Sequence, residues 1–125
     1  SLNVAWPKTQ RLLAAVQAHP PRPTGDWPDV VLQALGDQQL AAGLADHELP
    51  HTGLPLSTER ALANPFVRRS EQRYGTRSST LLALSAAEGA WQLRMSEWTH
   101  PNDRPPFTAS PRRDAQLNWG QIPNT

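Results

Sequence analysis

Cysteine is absent from the 125 residues. That excludes disulfides, thiolate metal sites and a cysteine nucleophile within the chain. Long apolar runs are missing too: no window approaches the ~18 consecutive apolar residues of a membrane-spanning helix. Neither sign of charge is in excess, with 12 Lys and Arg against 11 Asp and Glu. The basic stripe that a nucleic-acid surface needs is therefore lacking. The pairs Arg68-Arg69 and Arg112-Arg113 read as solvated. Apolar residues make up only 38 %, while proline reaches 13, which predicts a modest core with long irregular segments in one domain at most. No signal-peptide pattern follows Ser1, and a soluble, cytoplasmic protein is the expectation. Ser1 is not an initiator methionine and reads as a processed, cut or engineered position.

What is present divides into a helical first part, a hairpin and a proline-rich tail. Pro7 suits the first position of a helix running to about Ala18, with Leu12, Leu13 and Val16 as its apolar stripe. The run from His19 to Gly25 is full of breakers. Asp26 to about Leu35 reads as a second helix capped by Asp26, with Trp27, Val30, Val31, Ala34 and Leu35 on its buried face and Gly36 ending it. Asp37 to Ala45 allows another helical turn or two, and Asp46 to Leu56 reads as loop. Ser57 caps a short helix over Thr58 to Ala63, stopped at Asn64-Pro65. A short extended segment over Pro65 to Arg69 follows.

Thr76 to Ser85 and Ala90 to Trp98 read as an antiparallel hairpin turning at Ala86 to Gly89, with Gly89 supplying a positive φ. In its second strand Trp91, Leu93 and Met95 alternate with Gln92, Arg94 and Ser96, giving one buried and one wetter face. Residues 99–125 read as an irregular tail anchored by Phe107, Leu117 and Trp119. One hairpin under a few helices is marginal. The fold class expected is α+β, with residues 1–98 forming part of a larger layered structure whose remaining strands lie elsewhere.

The densest chemistry is Tyr74-Gly75-Thr76-Arg77-Ser78-Ser79-Thr80, running into Leu81-Leu82-Ala83-Leu84. Arg77 carries a permanent charge with five donors to the start of an apolar strand. It is either a member of a structural ion pair or a group facing a ligand. Thr76, Ser78 and Ser79 read as strand-edge hydroxyls satisfying backbone groups, with one of them a candidate for facing a ligand. Tyr74 and Gly75 read as turn chemistry. His19, His47, His51 and His100 all fall in predicted loops with no metal-ligand spacing among them, so solvated loop histidine is the reading for each. No GxSxG elbow marks a serine nucleophile. Of the five tryptophans, Trp6, Trp27 and Trp91 read as core or anchoring residues, and Trp98 and Trp119 as covers of a gap or a pocket.

Three phrases carry a family resemblance. Phe66-Val67 followed by YGTRSST and an apolar strand resembles the C-terminal signature of the NRDE family, also called the transport and Golgi organisation 2 family. Val4-Ala5-Trp6-Pro7-Lys8 resembles its helix-opening "TPW-P/R-K" phrase. Glu48 to Leu56, ELPHTGLPL, is similar to "LPDTGVPL", with His51 where the family more often shows aspartate. The three occur in the family's order over Ser1 to about Trp98. The resemblance implies an N-terminal-nucleophile-hydrolase-like αββα sandwich, of which this chain resembles the C-terminal half. The family's Met-Cys start and Asn-Arg-Asp-Glu motif would lie in an N-terminal half, the implied partner, as a separate chain or an absent segment. By analogy with related amide hydrolases, Arg77 supports catalysis beside that cysteine, and Thr76, Arg77 and Ser79 are the ligand-binding candidates. Amidohydrolase-like activity would belong to the full-length protein. No metal or cofactor is expected, although the resemblance also leaves open a non-catalytic carrier of haem or an acyl ligand. An independent interaction module with no small-molecule site is the third possibility.

Overall fold

A computed structural model describes residues 6–120. It is an α+β structure with three helices, α1 (Pro7–Ala18), α2 (Asp29–Leu35) and α3 (Leu56–Leu62), and five strands. The strands are β1 (Arg68–Arg69), β2 (Tyr74–Gly75), β3 (Ser78–Ala87), β4 (Ala90–Thr99) and β5 (Arg112–Trp119). The chain divides into two compact units, residues 6–20 with 28–76 and residues 21–27 with 77–120. Val4 and Ala5 of the first phrase, Ser1 and the last residues of the tail lie outside the described residues.

In the first unit α1 begins at Pro7, whose fixed φ is already helical and whose missing N–H is one that no helix bonds at that position. The apolar stripe expected of it is not its buried face. Ala15 is buried, while Leu13 and Val16 are exposed. The second helix starts at Asp29 rather than Asp26, because Pro28 biases the residue before it away from helical geometry and itself sits at φ −59°, ψ 130°. Asp26 therefore caps nothing, and Trp27 stands outside α2, grouped with the second unit. Nor does Ser57 cap α3, which opens two residues earlier, at Leu56, with Pro55 at its N-cap.

Side chains bind the loops between these helices. Asp37 accepts from the Gln39 and Leu40 amides at 2.7 and 3.1 Å and meets Arg11 at 3.4 Å. Asn64 accepts from the Ala41 amide at 2.7 Å and donates to the Gln38 carbonyl at 2.9 Å. Arg60 donates to the Ala41 and Leu44 carbonyls and to Asp46. Ala41, Leu49 and Ala63 form a small buried cluster with Leu44 against it.

Strands β1 and β2 pair antiparallel, Arg68 opposite Gly75. Tyr74 and Gly75 are thus strand residues rather than turn residues. A Cβ on Gly75 would lie 2.6 Å from the Val67 carbonyl oxygen, so only glycine allows this approach.

The second unit is a three-stranded antiparallel sheet in the order β3-β4-β5. Glu88 and Gly89 turn the β3–β4 hairpin with φ of 51° and 78°, the pair of positive angles that matches the twist of a two-residue hairpin. The proline-rich tail is not irregular throughout: β5 lies within it and adds a third strand to the expected hairpin. Successive strand residues alternate faces, so the register defines two sets. One face carries the rows Leu82-Met95-Ala115, Leu84-Leu93-Leu117 and Ala86-Trp91-Trp119. The other carries Ser79-Trp98-Arg112, Leu81-Ser96-Asp114 and Ala83-Arg94-Gln116.

The faces are covered in the opposite sense to the one expected. The apolar face is open, with Leu82, Leu84 and Leu117 each 60 % exposed. The polar face is capped by Trp27, which is 3 % exposed and donates its indole N–H to Ser96 Oγ at 2.6 Å. The Arg94 guanidinium lies 4.0 Å over the Trp27 ring and donates to the Gly25 carbonyl. Ser96 in turn donates to Asp114, which also accepts from Arg112 at 2.8 Å. Those two bonds, the serine's first, hold the Asp114 carboxyl below the usual carboxylate range against the opposing effect of burial. Arg112 is accordingly an ion-paired group that also lies over Trp98 at 5.2 Å, not a purely solvated one.

Candidate functional site

The three phrases that carry the sequence resemblance converge in the first unit on one cleft of about 210 Å³. Trp6 and Lys8 come from the first, Pro50, Thr52 and Leu54 from the second, Val67 and Tyr74 from the third, with Glu59 and Leu62 of α3 completing the wall. Each element places its residue for a local reason. The start of α1 at Pro7 fixes Lys8 on the first turn, where its ammonium donates to the Leu62 carbonyl at 3.1 Å and lies 5.7 Å from the Trp6 ring. The β1–β2 pairing brings Val67 and Tyr74 together.

Glu59 organises the middle phrase. Its Oε1 accepts from the Thr52 amide at 2.8 Å, the Thr52 hydroxyl at 2.6 Å and the Leu54 amide at 3.3 Å. The side chain is 5 % exposed. The Thr52 hydroxyl, more than any other contact, pulls its pKa below the usual carboxylate range, helped by the Thr52 and Leu54 amides and by His51 and opposed by burial. The carboxylate is thus ionised at neutral pH. Its second oxygen, Oε2, takes no donor among the described residues, and no ion pair joins Glu59 to Lys8, the opposite charge in the same wall.

The residues singled out from the sequence behave differently. Thr76 belongs to the first unit, Arg77 and Ser79 to the second. The Thr76 amide donates to the Val67 carbonyl at 2.8 Å and its hydroxyl accepts from the Val67 amide at 3.0 Å. That clasp commits the side chain to holding β1 and β2 in register. Arg77 is exposed, just before β3, and its carbonyl accepts from the His100 amide at 2.8 Å. An exposed guanidinium avoids the desolvation cost that a charge in an apolar strand would carry, and Arg77 joins no ion pair among the described residues.

Ser79 is 7 % exposed, and its hydroxyl lies 2.9 Å from His100 Nε2. The other ring nitrogen, Nδ1, is 3.0 Å from Ser110 Oγ. His100 is therefore buried between two serines, with Phe107 edge-on at 4.9 Å, and is not a solvated loop histidine. A hydroxyl against an imidazole held by a third group is the arrangement that activates serine nucleophiles. Here it is closed off by burial, and binding iron through His100 would require breaking one of its two bonds. Among the described residues no group of three or more His, Cys, Asp or Glu is placed to hold a metal ion, and no helix is long and apolar enough to cross a membrane.

Glu59 is absent from the sequence-based candidates and His100 is there a solvated loop residue, yet each left a signal. Glu59 stands in the first turn of a helix behind a Thr-Gly-Leu-Pro loop, where an acid reaches back to loop amides much as in a capping box. His100 follows directly on a strand whose partner starts at Ser78, placing it beside Ser79. No family model, curated protein or solved structure matches the chain.

Proposed function

We propose that this chain is the C-terminal half of an NRDE-type protein with an N-terminal-nucleophile-hydrolase-like αββα sandwich, and that it contributes Arg77 to a substrate site of amide-hydrolase type. One observation supports this above others. Three rows of apolar side chains, Leu82-Met95-Ala115, Leu84-Leu93-Leu117 and Ala86-Trp91-Trp119, lie on one face of the sheet, where Leu82, Leu84, Leu117 and Trp119 stand open. An open apolar face of that kind is what a second sheet covers in a sandwich, with the layers about 10 Å apart. Arg77 then acts as a fixed cation that orients an amide substrate or stabilises negative charge developing on its carbonyl oxygen. The nucleophile comes from the other half, as this chain has no cysteine.

Sedimentation and thermal unfolding of the purified chain test the half-fold. The expectation is self-association through the open face, relieved by Leu84→Asp with Leu117→Asp. A folded, cooperatively melting monomer with no other polypeptide present overturns it.

A further inference from the structure

The cleft of the first unit has the chemistry of a receptor for a small zwitterion. Among the described residues its wall holds one cation, Lys8, and one anion, Glu59, and no ion pair joins them. Opposite charges lining one small concave space normally pair, because pairing offsets the loss of water around both. Here each is instead held in place by backbone and hydroxyl groups. Lys8 uses one donor on the Leu62 carbonyl, leaving two of its three N–H groups without a described protein partner. Glu59 uses Oε1 on Thr52 and Leu54, leaving Oε2 without one.

Apart from Thr52, whose hydroxyl is committed to Glu59, the rest of the described wall is apolar or aromatic: Trp6, Pro50, Leu54, Leu62, Val67 and Tyr74. Most binding sites share that design, in which apolar groups supply the contact area and a few polar groups fix orientation. A volume of about 210 Å³ is below the usual range for drug-sized ligands and suits a metabolite with one short side chain.

We propose that this cleft binds a small aliphatic α-amino acid. Its carboxylate meets the Lys8 ammonium, its ammonium meets Glu59 Oε2, and its side chain lies among Leu54, Leu62 and Val67. Trp6 and Tyr74, both exposed, add aromatic contact area to the wall. The site lies wholly in the first unit, so it stands whether or not the sheet of the second unit belongs to a sandwich. The sequence phrases meet here because each supplies one wall.

Calorimetric titration of the 125-residue chain with L-valine, isobutylamine and 3-methylbutanoate tests the assignment. L-valine is expected to bind one-to-one, and each single-charge analogue about tenfold more weakly or worse. Lys8→Met should weaken L-valine about tenfold and leave isobutylamine unchanged. Glu59→Gln keeps an acceptor for Thr52 and Leu54 and should weaken L-valine while leaving 3-methylbutanoate unchanged. If Glu59→Gln fails to fold, the analogues and Lys8→Met decide alone. Absence of saturable heat with L-valine into the millimolar range overturns the proposal, as does an equal affinity for the amine or the acid. Calorimetry reads the cleft and sedimentation reads the sheet, so the two proposals fail separately.

Discussion

The two faces of the β3-β4-β5 sheet are made from the same strands and differ in what lies over them. The face bearing Ser79, Arg94 and Ser96 is covered over its first two strands, and on the other face Leu82, Leu84 and Leu117 stand open. Burying polar groups is costly unless each finds a partner, and the covered face meets that condition almost completely. Ser96 bonds Trp27 and Asp114, Asp114 bonds Arg112, and Ser79 bonds His100. Among the described residues, Arg94 Nε and one of its terminal nitrogens are the buried side-chain polar atoms with no hydrogen-bond partner, while the guanidinium rests on the Trp27 ring. The contrast shows that polarity alone does not decide which side of a sheet becomes interior. A single indole with one donor can close a polar face when the donor has a hydroxyl to meet.

The sharpest way to break this contrast is to remove the cover. Trp27→Ala deletes a nearly fully buried aromatic and leaves Ser96 and Arg94 exposed to a cavity. It should lower stability by about 3–5 kcal/mol in denaturant unfolding. An effect under about 1 kcal/mol would mean that the covered face is held by its own network and not by the indole.

A smaller effect is expected from Ser79→Ala, which leaves His100 Nε2 buried opposite a methyl group. The loss should be about 1–3 kcal/mol, with the His100 ring protons shifting in NMR spectra. An unchanged stability would show that water replaces the hydroxyl and that the pocket around His100 is open.

The smallest effect belongs to the open face. Measured at a protein concentration too low for self-association, Leu84→Ala should change the stability of the monomeric chain by less than about 0.5 kcal/mol, as for a surface position, despite removing a large apolar side chain. A loss comparable to a core leucine, about 2–5 kcal/mol, would reveal that the face is covered even in the monomer.

Local chemistry was legible in the sequence, and coverage was not. Pro7 and the breakers after His19 define α1 over Pro7–Ala18, and Glu88-Gly89 between alternating residues defines the β3–β4 hairpin. These depend on neighbours a few residues apart. The period-2 pattern of β4 separates Trp91, Leu93 and Met95 from Gln92, Arg94 and Ser96, but says only which residues share a face. Which set is covered depends on Trp27, from a distant part of the chain, and no pattern within the strand carries that information. The same holds for β5. There Ala115, Leu117 and Trp119 alternate with Asp114, Gln116 and Asn118, yet Arg112 to Trp119 are exposed along their length. The cleft was half legible: its three phrases were each visible, but the carboxylate and ammonium that give it chemistry meet through loop and helix geometry.

The turn at Glu88-Gly89 has a kinetic consequence. Ten residue pairs of β3 and β4 can close in sequence from that two-residue turn, with almost no chain entropy lost to loop closure. The indole of Trp27 must instead find Ser96 across 69 positions. Contacts of that separation form late and slow the overall rate. The hairpin is therefore expected to be assembled while both of its faces are still bare, so that early in folding Ser96 and Arg94 are as wet as the leucines behind them. Only when residues 21–27 arrive does the sheet acquire an inside.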